Sequence, residues 1–300
     1  MKEKDKTKTL TPAKRKSNFT RHEERVANLF ILLPMIGFLI FTLASFGFGF
    51  YQSFTNFNPV RQETKWIWFE NYKTLLKDKN FKDAALNTVL LMASIPIGIT
   101  LGLLLAVYLK NLAKGSKLLS LLYYLPAITS AVAVNIVWRY IFNAEFGFIN
   151  SFFGLKIDWI GVDFWFIKIA LWIKGVWSAL GVTMILYLAG LNNIPLEYYE
   201  AASVDGASKW QQFIHITIPL LSPTTFYLVV TAIIGGLQSF AEAQIFANGQ
   251  KGARTIVWYI WERGIYMSKY GLASAASFLL ATFIIIITII QFRRTKVLDV

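Results

Sequence analysis

Residues 26–50 read VANLFILLPMIGFLIFTLASFGFGF and contain no Asp, Glu, Lys or Arg. An α-helix needs about 20 apolar residues to cross a hydrocarbon core of about 30 Å, so this run is long enough to span a membrane. It is also longer than the apolar part of a cleaved signal peptide, which has roughly 7–15 residues. The run therefore predicts a retained transmembrane helix.

Five more apolar runs follow this first one along the chain. They cover about 84–109, 118–141, 167–191, 219–241 and 271–292. The whole chain of 300 residues is 55% hydrophobic and only 16% charged, which is more apolar than a soluble domain of that length. The sequence therefore predicts an all-α polytopic membrane protein with six transmembrane helices.

The distribution of basic residues predicts how these spans are oriented. Six spans place three Lys/Arg clusters on one side of the membrane: the tail 1–25, the loop with Lys110, Lys114 and Lys117, and the end 293–300. Positive loops face the cytoplasm, so both termini are expected there, as tails flanking a domain over 26–292. Segment 52–83 is also rich in lysine but mixed with acids, which predicts a small folded external loop.

The chain lacks the residues that several classes of enzyme and ion-coupled transporter need. The chain has no cysteine and only His22 and His215, which argues against thiol chemistry and a histidine metal site. The spans contain few ionisable groups apart from Lys174, which either snorkels outward or faces a pore. No catalytic constellation and no phosphate-binding P-loop is found. We expect no enzyme, no cofactor and an energy source outside this chain.

The segment 192–218 between the fourth and fifth runs carries the most local signal. Asn193 is a candidate helix cap, Pro195 suits a first turn, and Gly206 permits a sharp turn. Ser208 with Gln211 has the form of a capping box that opens a second short helix, and Pro219 is expected to break it. Two short helices joined at Gly206 are predicted, serving either as an interfacial linker or as a docking element.

The same segment closely resembles the EAA loop of ABC importer permeases. The pattern of Glu-Ala-Ala, Gly-Ala and a later Pro is met at positions that the family spaces in the same way. These positions are Glu200, Ala201, Ala202, Asp205, Gly206, Ala207, Ile216 and Pro219. The lead-in Asn192-Asn193-Ile194-Pro195 and the stretch 270–275 resemble the carbohydrate-uptake branch, with Ile218 where many members have Leu.

This resemblance implies a type I importer permease fold over 26–292 and a set of partners. Such permeases pair with a second, homologous permease subunit, two cytoplasmic ATPase subunits that bind ATP, and an extracellular solute-binding protein, in the bacterial cell membrane. Glu200 is the implied coupling contact with an ATPase. Ala201 and Ala202 would pack in its cleft, and Gly206 would supply the bend.

The predicted solute path is formed by polar and aromatic residues near the ends of the spans. The glycine pair Gly235-Gly236 can loosen a helix beside a cavity, or it can mark an ordinary helix end. The candidate path residues are Asn135, Trp138, Tyr187, Gln238, Ser239 and Glu242. A sugar or oligosaccharide is the expected cargo. Another solute such as glycerol phosphate, and a stand-alone secondary transporter, remain the alternatives.

Overall fold

The computed structural model describes residues 18–60, 64–112, 114–161 and 163–294, and these residues are mostly helical. Within this described part, the only strand-like pairing is a single bridge between Thr55 and Trp66. The α-helices are α1 Asn18–Gly37, α2 Ala44–Ser53, α3 Glu70–Lys77, α4 Lys79–Leu91, α5 Ser94–Lys110, α6 Ser116–Ile128, α7 Ala131–Ile141, α8 Phe148–Phe153, α9 Phe164–Asn192, α10 Leu196–Val204, α11 Lys209–Gln212, α12 Ile218–Leu220, α13 Ser222–Leu237, α14 Ile256–Trp261 and α15 Tyr270–Arg294.

The predicted all-α, multi-span architecture is confirmed. Among the described residues, four helical segments are long and apolar enough to cross a membrane: Val26–Ser53, Lys79–Lys110, Phe164–Asn192 and Tyr270–Arg293. Two bent helix pairs bring the number to six if each pair is one span. Residues 1–17 and 295–300 of the predicted tails lie outside the described residues, and α1 begins at Asn18, inside the predicted N-terminal tail.

The chain divides into two compact units at Tyr51 and Gln52. In the first unit, α1 continues through a π-helical stretch, Phe38–Leu43, into α2. Pro34 lies inside α1 and cannot donate a hydrogen bond to the preceding turn, which is a known cause of helix irregularity. All the packing described below lies within the second unit.

Helices α5 and α9 run in the same direction, and small residues between them allow close packing. A Cβ atom added to Gly102 would lie 2.5 Å from Thr183 Cγ2, and one added to Gly98 would lie 3.2 Å from the Ala179 Cβ. Gly98 and Gly102 are one helical turn apart, and this spacing of small residues brings helix backbones together in membranes. This glycine pair was not recognised in the sequence, although its spacing is visible there.

The third predicted span, 118–141, is broken, which corrects the prediction of one continuous helix. The axes of α6 and α7 differ by 100°. Thr129 is extended with ψ 145°, Ser130 has ψ 127°, and Pro126 precedes them. Pro126 lacks an N–H, and the two residues between the helices leave the helical region, so the chain turns sharply here.

The fifth predicted span, 219–241, begins and ends differently in the structure. The helical stretch Lys209–Leu220 meets α13 at Leu221 with a bend of 61°, so Pro219 lies before the bend and does not end the helix itself. A π-helical turn, Phe213–Thr217, ends two residues before the proline. At the other end, α13 stops at Leu237, four residues before the predicted limit.

We call the end of the bundle that carries segment 192–218 the loop end, and the other the far end. At the loop end, Lys110 Nζ donates to Leu191 O over 2.7 Å and ties the last turns of α5 and α9 together. At the far end, Lys168 Nζ donates to Asn87 Oδ1 over 2.8 Å and also to Gly252 O. Asn87 in turn donates to the carbonyls of Lys251 and Arg254, so one buried polar cluster joins α4, α9 and the 251–254 turn.

The 52–83 segment is folded, as its mixed charge predicted. Asn71 Nδ2 donates to the carbonyls of Ser53 and Thr55, at 2.9 and 2.8 Å, and fixes α3 against the preceding loop. Asp78 Oδ2 accepts from Tyr259 OH at 2.7 Å and from Arg263 at 3.1 Å. This segment is therefore attached to the π-helical turn after α14 by a hydrogen-bonded ion pair.

Candidate functional sites

Segment 192–218 folds into the two short helices that its sequence predicts. Between α10 and α11, Gly206 has φ +78°, a left-handed conformation that glycine adopts without steric cost. Ser208 and Gln211 form the predicted capping box, with Gln211 Oε1 accepting from the Ser208 N–H at 2.7 Å. Asn193 was expected to cap α10, but it follows the last turn of α9 instead, and Pro195 precedes α10 without a side-chain cap.

Hydrogen bonds hold this pair of helices to one another and to the rest of the second unit. The Tyr199 and Thr217 hydroxyls are 2.9 Å apart, which joins α10 to the start of the fifth span. Gln212 is buried, and its Nε2 donates to Ser203 Oγ at 2.8 Å and to Ala207 O at 3.3 Å. The turn is therefore braced on its inner side by polar contacts, and its orientation relative to the spans is defined.

The outer side of α10 and of the turn that follows it carries part of the EAA pattern. Glu200, Ala201, Asp205 and Gly206 are exposed, and Val204 is 88% exposed. Within the described residues Glu200 has no ion-pair partner. Ala202 and Ala207 are half-buried against the inner side, so Ala201 alone of the alanine pair faces outward. The exposed face combines acidic, small and apolar side chains.

A second site lies where α13 ends, near the break between α4 and α5. A cavity of about 230 Å³ is lined there by Met92, Ser94, Gly175, Gly235, Ser239 and Glu242, among others. Lys174 Nζ lies 2.8 Å from Glu242 Oε1, and Ser239 Oγ donates to Glu242 Oε2 at 2.8 Å. The Lys174 side chain is only 6% exposed, so it does not snorkel to the surface. It contacts Glu242, which lines the cavity.

The other predicted path residues fall in different surroundings. Tyr187 is 1% exposed, its hydroxyl is 3.0 Å from Thr225 Oγ1, and it packs in the apolar core. Asn135 is fully buried on α7 and donates to Ala131 O. Trp138 is half-buried against Phe142 and Trp177, and Gln238 is exposed at the end of α13.

Residue-type patterns did not reveal the pairing of Lys174 with Glu242. They are far apart in sequence, and only the folding of the 238–246 segment back against α9 brings them together. Lys174 within the fourth apolar run and Glu242 just past the fifth were the available signal, because buried charges in membranes are generally paired. In the described part of the chain, no group of three or more His, Asp or Glu side chains is placed to hold a metal ion.

Comparison with known proteins identifies the family. The profile of the binding-protein-dependent transport system inner membrane component matches residues 98–294, which include the whole of segment 192–218. This chain belongs to that family. It is therefore a multi-pass membrane component of a transport system. Its family is one of transport proteins and not of enzymes.

Individual relatives extend the match to nearly the whole chain. A probable ABC transporter permease of Bacillus subtilis, YesP, is 34% identical over 95% of this chain and 94% of its own length. The arabinooligosaccharide transport permease AraP of the same organism is 31% identical over 88% of this chain and 87% of its own. A chain of a solved bacterial alginate ABC transporter, in complex with an alginate-pentasaccharide-bound periplasmic protein, has a TM-score of 0.79 at 25% identity. It covers 92% of this chain and 95% of that chain.

Proposed function

We propose that this chain is the permease subunit of an ABC importer for a sugar or oligosaccharide, and that it forms half of the translocation path. The observation that carries the proposal is the braced helix pair α10–α11. Its outer face presents Glu200 and Ala201 to solvent, and on its inner face Tyr199 is hydrogen-bonded to Thr217 at the start of the fifth span. A docked partner that moves this pair would move the spans with it.

The coupling residues in this proposal are Glu200, Ala201, Ala202, Asp205, Gly206, Ala207 and Pro219. Glu200 and Ala201 would contact a cytoplasmic ATPase directly, in the manner of an amphipathic helix in a groove. Ala202 and Ala207 would keep the turn thin on its inner side, and Gly206 would hold its left-handed bend. ATP would bind to the ATPase subunits, and this chain would need no cofactor of its own.

The cavity beside Glu242 supports a path shared with another subunit. At about 230 Å³ it has room for roughly eight water molecules of about 30 Å³ each, which is too little for an oligosaccharide. A second, homologous permease would supply the opposite wall. Ser239, Glu242 and the exposed Gln238 offer hydrogen-bonding groups of the kind that sugar hydroxyls need.

The proposed cargo and orientation rest on the relatives and on charge. AraP carries arabinooligosaccharides by its name, and the solved transporter imports alginate with a periplasmic binding protein. We extend that class of cargo, and a dependence on an external binding protein, to this chain. The loop end would be cytoplasmic, because Lys110, Lys114 and Lys117 lie beside it and basic loops face the cytoplasm.

The test is mild-detergent capture of the full chain from its native membrane, with bound proteins identified by mass spectrometry. We expect an ABC ATPase and a second permease, and we expect the ATPase to be lost from the Glu200→Arg variant. Glu70→Arg is the matched control, because Glu70 is also an exposed acid on a short helix, α3, but lies at the far end. Capture of the chain alone, with solute movement that needs no ATP, would instead support a secondary transporter.

A further inference from the structure

A large groove at the loop end is not explained by coupling or by the solute path. It has a volume of about 680 Å³ and lies between the last turns of α5 and the helix pair α10–α11. Its walls include Leu104, Tyr199, Trp210 and Phe213, which are apolar or aromatic. Trp210 is 67% exposed and stacks on Phe213 with ring centroids 5.7 Å apart, so an aromatic ledge borders the groove.

The groove is apolar along its length and positively charged at its rim. Lys110 and Lys209 both line it, and no Asp or Glu is among its described lining residues. The Lys110 ammonium is held in place by its bond to Leu191 O and by the Tyr199 ring, whose centroid is 5.9 Å away. An ammonium has three N–H donors, so Lys110 retains donors for an anion after its bond to Leu191.

The apolar wall continues from the groove along α5, away from the loop end. Ile97, Leu101, Leu104 and Tyr108 are exposed at intervals of three or four residues, which places them on one side of the helix. At 1.5 Å per residue, the stripe is about 16 Å long. It lies within Lys79–Lys110, a helical segment long and apolar enough to cross a membrane, whose surroundings there would be acyl chains and not water.

We propose that this groove binds an anionic glycerophospholipid of the leaflet at the loop end. The phosphate lies between Lys110 and Lys209, Trp210 lies at the level of the headgroup, and one acyl chain follows the α5 stripe. Charge complementarity favours an anionic lipid over a zwitterionic one, because two lysines face the rim with no carboxylate among the lining residues. The bound lipid touches both α5 and α11, so it links the helix pair to the second span.

The experiment is native mass spectrometry of the purified full chain in detergent, titrated separately with dioleoylphosphatidylglycerol and dioleoylphosphatidylcholine. We expect one phosphatidylglycerol molecule to bind at least several-fold more tightly than phosphatidylcholine. The Lys209→Gln variant is expected to weaken phosphatidylglycerol binding about fivefold, the contribution of one lysine near an anionic surface. Lys117→Gln, a lysine of the adjacent loop that does not line the groove, is the matched control and should leave binding unchanged.

A second measurement places the lipid at the aromatic ledge. Phosphatidylglycerol brominated near the glycerol end of its acyl chains should quench part of the tryptophan fluorescence, and Trp210→Phe should remove that part. Equal affinity for the two lipids, or equal effects of Lys209→Gln and Lys117→Gln, would overturn the proposal. Loss of the lipid when the ATPase subunits are added, together with loss of ATPase capture by Lys209→Gln, would instead assign the groove to the ATPase. These measurements need no transport activity, so their failure is separate from a failure of the proposed function.

Discussion

The ion pair between Lys174 and Glu242 offers the sharpest quantitative test of the structure. It joins the middle of α9 to the segment after α13, beside the cavity proposed for the solute path. Replacing Lys174 by Met keeps a long unbranched side chain and removes the charge, and replacing Glu242 by Gln keeps the shape of the acid. The two single variants and the double variant form a double-mutant cycle.

The expected magnitudes follow from the burial of the two partners. Breaking a buried ion pair by removing one partner costs about 3–5 kcal/mol, because the other charge is left uncompensated. Lys174 is 6% exposed, so Glu242→Gln should cost about 3 kcal/mol. Glu242 is 33% exposed and keeps its bond from Ser239, so Lys174→Met should cost less, about 2 kcal/mol. The double variant should cost about 3 kcal/mol, which gives a coupling energy of about 2 kcal/mol.

The assay is denaturant unfolding of the full chain in detergent micelles, followed by tryptophan fluorescence. The control cycle uses Lys73 and Glu70 on α3, whose atoms are 4.0 Å apart and whose side chains are 68% and 64% exposed. An exposed pair of this kind should show a coupling energy below about 0.5 kcal/mol. A coupling energy at Lys174 and Glu242 as small as that of the control pair would refute the reasoning.

Two further predictions concern the turn at the loop end and the ion pair at the far end. Gly206→Pro should leave the chain inserted but lower uptake at least tenfold, since proline cannot adopt φ +78° and would lose the bond from the Gly206 N–H to Ser203 O. Gly206→Ala should lower the free energy of unfolding by only about 1–2 kcal/mol, the cost of a left-handed conformation for alanine, and should keep part of the uptake. Uptake and ATP hydrolysis are measured together in proteoliposomes. Normal uptake by the proline variant would contradict the coupling role. Burial alone would raise the pKa of Asp78, but hydrogen bonds from Tyr259 and from backbone amides, together with the Arg263 guanidinium, hold it below its usual 3.8. The stability that Asp78 contributes should therefore be present above about pH 4 and be lost as the pH falls below it. The melting temperature of the Asp78→Asn variant should accordingly decrease less steeply at acidic pH than that of the unmodified chain. Equal decreases in the two proteins would count against the ion pair.

The spans and the turn at Gly206 were predictable because their determinants are local. A run such as 26–50 needs only length and the absence of charge to be recognised. The capping box of Ser208 and Gln211 lies within four residues, and its geometry forms as expected. The residues of the EAA pattern could likewise be named from their spacing alone, although the roles proposed for them stay predictions.

The sequence was least informative where contacts between distant parts of the chain decide the outcome, and at one break inside an apolar run. Tyr187 has the composition of a path residue, but Thr225 on α13 and the neighbouring apolar side chains enclose it. The break between α6 and α7 depends on two residues leaving the helical region within an apolar run, which hydropathy does not register. Lys174 could not be oriented from sequence because its partner Glu242 belongs to a segment that folds back from the next span.

The contacts of α9 suggest how motion at the loop end could reach the cavity. Near the loop end, Tyr199 of α10 is bonded to Thr217, which leads into α13. Further along, Tyr187 of α9 is hydrogen-bonded to Thr225 of α13, and beyond the end of α13 Lys174 is paired with Glu242. These contacts tie α9 to α13 and to the segment that follows it, so a displacement of α10 transmitted through Thr217 must either shift both spans together or break one of the bonds between them. Glu242 lines the cavity, so the Lys174–Glu242 pair is the contact of this series through which such a displacement would reach the cavity wall.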